Sequence, residues 1–578
     1  IYNLQMTKNN TSKIYLVVTL VSVFFVWNFE AKFGFFPTDE SRTLGLTQRL
    51  FFKQTPHVDF SYQSFMGSMY LHLYALLIPK YKLALLRIIS ILMVHGYTLY
   101  ILRLSSLYNS KNLPLKIFFW ISATYLNIHW FDYFIWPTLD SLFIIALGIT
   151  VIKKNNTLGL LLLGLAPLFK TPFLLSVGAY VVFKNIRNFK ISIFIKDSVI
   201  AGIPLLIYLL ATFTSGGFDN LYKETLLSPI NWDYWNIWFH RLGYYEKQLI
   251  IFLFIFIAFN FIPLKNSILK NTLNWIYFLS FFVMLYSMDY TTWGYKPYLN
   301  LINLFLLFFI FIKNYKNLPD IFEALFVCYI LEVGAMMSMS WVYGQWTTGS
   351  LLVLIFLYLD DNSFLDKTVN LRNKFSIKIG SISLVFFILL SLVNVLELSN
   401  FRTENIWKSN PGRSVKKLDI DLSYNLNNIS DSYGSIFVDK NTFQYLKDID
   451  ECLSNINSKN VSIFPDNPVL YYIYGLNNPV YLDWYEVGYV GNRKDHYNEI
   501  IFNNLHESTS KDTYILLQSY RATRLISEIP YERVSELNTT PWPDNMESVF
   551  EEFYNSLKNT YSSDISTCKS FTVVHINN

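Results

Sequence analysis

Long apolar runs constrain this chain more than any other feature. Leu249–Ile262, Leu299–Ile312 and Ile379–Leu396 contain no charged residue. Runs approaching about 18–20 apolar residues read as helices that cross a bilayer. Candidate spans fall at 14–28, 83–102, 115–130, 139–152, 157–169, 172–184, 196–213, 249–263, 272–287, 297–312, 320–338, 347–359 and 378–397. The expectation is a polytopic α-helical membrane protein with about thirteen transmembrane helices. Only 15% of the 578 residues are charged, against about 25% in a soluble protein. Lys8 and Lys13 precede the first apolar run, and no small-residue cleavage site follows, so that run reads as an uncleaved first helix.

The stretch 65–79 is also apolar, and it decides the topology. Suppose it lies along the surface within a long first outer loop, 29–82. The cytoplasmic loops then hold Arg103, Lys111, Lys116, Lys153, Lys154, Lys184, Arg187, Lys190 and Lys196, and further lysines at 265, 270, 313 and 316. The short outer loops 131–138 and 339–346 contain no Lys or Arg. That is the positive-inside pattern. If 65–79 crossed, the pattern would invert, so an interfacial helix is expected there. The small net charge of +5 is spent on orientation, and no basic run points to nucleic acid.

From about residue 401 the composition turns polar, and no run is long enough to span. Short β-type runs, "SIFVD", "VSIFP" and "TYILL", accompany a helical pattern, "TFQYLKDIDECLSNI". The expected organisation is a transmembrane domain, 1–400, and an extracytoplasmic α/β domain, 401–578, tethered to the outer face. Cys452 and Cys568 both lie in this polar region. In an oxidising compartment they can pair, and two unpaired thiols are the open alternative.

A few polar residues exceed what a membrane fold needs. "PTDESRTLGLTQRLFFKQ" reads as an amphipathic helix lying in the interface. Thr38 suits its N-cap, and Asp39 and Glu40 suit a first turn that the helix dipole makes favourable for negative charge. In "HWFDYFIWPTLDSLFIIAL", Asp140 heads a span and Asp132 stands eight residues before it. On one outer face, two acids at 39 and 140 could equally be caps, or a general base and a cation ligand. "GLLLLGLAPLFKTPFLLSVGAYVVF" holds one charge, Lys170, shortly before Pro172. Two short helices meeting there fit better than one long one. The lysine either snorkels to the interface or meets an anionic partner such as a phosphate. Further outer-side candidates are Asp219, Glu224, Asp233, His240, Arg241, Asp289, Lys296 and Tyr298. No zinc-type Cys/His spacing, phosphate-cradling glycine loop or Ser-His-Asp pattern is present.

Three stretches taken in order carry a resemblance. "PTDESRTLGLTQRLFFKQTPHVDFSYQSFMGSMYLH", "WPTLDSLFIIALG" and "LLGLAPLFKTPFLL" resemble the GT-C superfamily of membrane glycosyltransferases. The likeness is to the bacterial and archaeal branch of protein O-mannosyltransferase and aminoarabinose transferase type. "KPYLNL" is similar to a tyrosine-containing segment late in such membrane regions, and "IFPDNPVLYYIYGLNNPVYLDW" to a segment of relatives with outer domains. The resemblance covers 14–215 best, and 215–400 by architecture alone.

The resemblance implies an inverting transfer of a sugar from a polyprenyl-phosphate donor to a glycan, lipid or protein acceptor. The reaction would occur at the outer face of the cell membrane, among its lipids. By carry-over, Asp39 is the general base and Glu40 its neighbour. Lys170 and Arg42, with Lys296 and Tyr298, contact the donor phosphate. Asp140 organises the site or binds a divalent cation, magnesium or manganese. Asp132, His240 and Arg241 are further site candidates. The chain lacks a "WWDYG"-type signature, which disfavours en bloc transfer of an oligosaccharide to asparagine. Two other readings stay open: a transporter or flippase for lipid-linked sugars, and an oligosaccharide polymerase or ligase.

Overall fold

The computed structural model describes residues 2–35, 42–62, 64–104, 120, 124, 134–186, 189–227, 405–407, 414–416, 421–464, 467–483, 512–518, 559, 565–569 and 571–576. The expected spans from 249 to 397 lie outside these residues, as does 115–130 apart from Trp120 and Thr124.

Helix α1 (Tyr2–Val26) runs into a π-turn, Trp27–Ala31. It is followed by α2 (Arg42–Phe51), α3 (Gly67–Leu71) with a 3₁₀ turn at His72–Leu77, and α4 (Lys82–Leu104). Then come α5 (Pro137–Ile152), α6 (Asn156–Phe169), α7 (Phe173–Ile186), α8 (Ile191–Thr214) and the short α9 (Phe218–Leu221). Among the described residues, three segments are long and apolar enough to cross a membrane: Lys13–Ala31, Lys82–Tyr100 and Ile191–Thr214. The chain is mostly α-helical, multi-pass in character, and carries a small β-sheet region. In α1 and α8 large apolar side chains such as Leu20, Phe24, Leu206 and Phe213 point outward, as lipid-facing helices require.

Local chemistry sets the helix ends. Pro137 opens α5, where its missing N–H costs nothing. The Asn155 side chain caps α6 by accepting from the Leu158 N–H at 3.0 Å. The chain breaks at Lys170–Pro172 between α6 and α7, as the sequence anticipates. The 65–79 stretch forms two short turns of 5 and 6 residues. At about 1.5–2.0 Å per residue these fall well short of a hydrocarbon core about 30 Å thick.

The polar C-terminal region holds antiparallel pairs β1 (Asn405–Trp407) with β2 (Ser414–Lys416), and β3 (Tyr424–Asn425) with β4 (Phe437–Val438). Helix α10 (Lys440–Ser454) is capped by Asp439, which accepts from the N–H groups of Asn441 and Thr442. After β5 (Asn460–Phe464) comes α11 (Pro468–Tyr474). Strands β6 (Thr513–Gln518), β7 (Ile565–Cys568) and β8 (Phe571–Ile576) complete a four-stranded sheet ordered β5-β6-β8-β7. Its first pair is parallel and the others antiparallel. Cys452 of α10 and Cys568 of β7 form a disulfide.

This region shares one hydrophobic core with the first loop. Leu44 of α2, Ala75 of the 3₁₀ turn and Leu86 of α4 are buried in the same cluster as Ile436, Leu470 and Leu516. Helix α2 lies against α11, and a Cβ added at Gly45 would collide with the Pro468 carbonyl. Residues Thr43–Arg49 are therefore all buried. The amphipathic helix expected from the sequence forms over Arg42–Phe51, and much of it is enclosed by protein, with α11 packed against it.

Candidate functional site

The site builds around the first turn of α5. Asp140, its fourth residue, is 1% exposed. The Ser68 hydroxyl of α3 donates to Asp140 Oδ2. His72 Nε2 lies 3.0 Å from both carboxylate oxygens. Ser68 and His72 stand four residues apart, which places them on one side of the α3 turn. That turn packs tightly onto the last turn of α6: a Cβ at Gly67 would come 2.7 Å from the Leu168 carbonyl carbon. One residue type alone fits so close a backbone approach.

Two cation-bearing positions adjoin the carboxylate. The Arg42 guanidinium lies over the Tyr62 ring at 5.4 Å. Tyr62 also feels the Asp140 charge; burial pushes its phenol up to about 12, against the lowering pull of Arg42. It therefore stays a hydroxyl donor at physiological pH. Lys170 follows the last residue of α6. Its backbone N–H and the Ser141 hydroxyl donate to the same carbonyl, Ala166, at 3.3 and 3.1 Å. The lysine break therefore sits beside the head of α5. Thr171 and Ser64 join hydroxyls there at 3.0 Å.

The residues that flank the acidic stretch are firmly held. Arg87 of α4 donates to the carbonyls of Ala31 at 2.5 Å and Gly34 at 2.9 Å. Gly34 adopts a φ of 78°, and its N–H donates to the Phe437 carbonyl at 2.9 Å. Phe35 is buried edge-on against Tyr433 of the C-terminal region. The polar C-terminal region thus anchors the chain that enters the acidic stretch.

Of the residues read from the sequence, the structure gathers Arg42, Asp140 and the Lys170 break in one neighbourhood. Asp39, Glu40, Asp132, His240, Arg241, Lys296 and Tyr298 lie outside the described residues. Sequence reasoning passed over Ser68 and His72. Their signal was there: two polar residues four apart inside an apolar stretch.

The order of contacts limits the chemistry. Asp140 stands between Ser68 and His72, whereas nucleophile activation needs the histidine between serine and acid. This is no hydrolase triad. Nor do Asp140 and His72 alone fit a magnesium or manganese ion, which takes about six mostly oxygen ligands. Among the described residues no group of three His, Cys, Asp or Glu gathers. What the arrangement supplies is a fixed carboxylate with a hydroxyl and an imidazole on it, an arginine over the neighbouring Tyr62 ring, and a lysine position at the adjoining helix break. No protein-family model matches the chain, and no curated protein matches it.

Proposed function

We propose that the protein is an inverting glycosyltransferase of GT-C type, with about thirteen transmembrane helices. It would move a sugar from a polyprenyl-phosphate donor to an acceptor on the extracytoplasmic face. One observation carries this reading: Arg42, which follows the acidic stretch by two residues, lies over the buried Tyr62 ring that also feels the Asp140 charge, beside the Lys170 break. Asp39 stands three residues before Arg42, a separation that an extended chain covers in about 11 Å. The Cys452–Cys568 disulfide supports an oxidising, extracytoplasmic location for the C-terminal region.

The chemistry follows from the groups. The acceptor oxygen attacks the anomeric carbon from the face opposite the phosphate, and the bond from that carbon to the phosphate oxygen breaks. The leaving polyprenyl phosphate keeps the electron pair, and Arg42 and Lys170 stabilise the charge that develops on it. Asp39, with Glu40 beside it, takes the proton of the acceptor hydroxyl, whose own pKa is far too high for it to ionise unaided. Lys296 and Tyr298 are further phosphate contacts, and Asp132, His240 and Arg241 are candidates for sugar or acceptor. Asp140 holds the geometry of the cations and hydroxyls, and no step runs through a metal ion.

The test is Asp39→Asn in cells whose surface glycan is profiled at matched protein level. The expected result is loss of one sugar, with activity lowered by about 10²–10⁴-fold. An unchanged glycan would remove Asp39 as the base.

A further inference from the structure

We propose that the Asp140 carboxylate is completed by His72, acting as a positioning residue through its Nε2 hydrogen, and not by a divalent cation. The proposal rests on the glycosyltransferase reading for its activity test, but not for its geometry. Nε2 lies at an equal 3.0 Å from Oδ1 and Oδ2, so one N–H is shared between the two oxygens and fixes the carboxylate plane. A carboxylate only accepts, so the hydrogen belongs to Nε2. In a neutral ring Nδ1 is then an acceptor, and the Tyr74 hydroxyl lies 3.0 Å from it. Burial and the Asp140 charge push the Tyr74 phenol up, which keeps it protonated and able to donate. Ser68 fills Oδ2 from the other side. Each polar contact in the chain Tyr74–His72–Asp140–Ser68 has a donor and an acceptor without a cation.

The arrangement also explains why a histidine sits in an apolar stretch. The His72 side chain is 1% exposed and that of Asp140 is fully buried. A buried carboxylate without strong donors is costly, and an imidazole anchored on Tyr74 supplies one in a fixed direction. Orienting partners of this kind hold a working group to within a fraction of an ångström, and an error of 1 Å costs about a hundredfold in rate.

Three measurements test this. First, the purified full-length chain is titrated with manganese alone and followed by electron paramagnetic resonance. No stoichiometric site is expected, and one bound ion per chain that Asp140→Asn abolishes would overturn the proposal. Second, His72→Leu and His72→Gln are compared in glycan-profiled cells at matched protein level. Glutamine can place an N–H where Nε2 stands; leucine cannot. His72→Leu is expected to lower transfer by about tenfold or more, and His72→Gln to restore it to within about threefold of the unaltered chain. Full activity of His72→Leu, or a glutamine variant as deficient as leucine, would overturn the proposal. Third, Asp39→Asn in the same cells separates the two ideas. If it leaves the glycan unchanged, Asp39 is removed as the base of the proposed transfer, while the manganese titration still decides how Asp140 is completed.

Discussion

Asp140 and Asp483 are both buried carboxylates, 1% and 5% exposed, and the fold uses them differently. Asp483 meets Arg49 of α2, whose Nε lies 2.9 and 3.0 Å from its two oxygens and whose Nη2 lies 2.8 Å from Oδ1. Asn478 adds a donor at 2.7 Å. The rest of the guanidinium is taken up by the carbonyls of Asn478 and Val480 and by Gln54. Acid and cation consume each other, so the pair is a staple between α2 and the C-terminal region. Asp140 has a histidine and a serine for hydrogen-bonding neighbours, and the Arg42 and Asp140 charges both reach the adjacent Tyr62. Burial of an acid therefore does not mark a site.

The sharpest way to break this comparison is to neutralise each acid in turn. Asp483→Asn leaves Arg49 buried without its counter-charge and is expected to cost about 3–5 kcal/mol. Thermal unfolding of the purified chain measures it, with transfer per folded molecule retained. Asp140→Asn is expected to do the reverse: transfer falls about a hundredfold, with a smaller change in melting temperature. Equal melting losses in both would erase the distinction. A smaller effect comes from the disulfide, which closes a sequence separation of 116 residues. Cys452→Ser is expected to lose about 2–4 kcal/mol, read as a lower unfolding temperature that reductant does not lower further. The smallest effect is at Lys80 and Asp431, paired at 2.7 Å but 63% and 52% exposed. Water and salt screen such a pair, so Lys80→Ala should leave melting unchanged. A clear loss there would show that exposed ties also hold the C-terminal region.

Among the described residues the helical layout was legible because periodicity and charge act locally. The runs at 14–28, 83–102 and 196–213 reappear in α1, α4 and α8. The Lys170–Pro172 break was readable because a proline and a charge interrupt one apolar stretch. Strands at "VSIFP" and "TYILL" were readable from β-branched alternation, and they pair as parallel neighbours in β5 and β6. Pairings across the chain were not legible. Arg49 and Asp483 are 434 positions apart, and neither carries a local sign of the other. The same holds for His57, which meets Glu224 at 3.3 Å and Tyr208 at 2.9 Å. Tyr481 adds the C-terminal region to that cluster by donating to Glu224 at 2.8 Å.

The sequence by itself determined where the chain is too apolar for water, where helices stop, and which acids and cations are left over. Those outcomes follow from side-chain hydration and backbone geometry within a few turns. Tertiary structure alone decided that α2 is enclosed by protein, and that the polar C-terminal region shares its core with the first loop. It also decided that Asp140 is held by Ser68 and His72. The physical reason is common to all three: each depends on surfaces brought together across hundreds of residues, whose burial and hydrogen bonding no local pattern encodes.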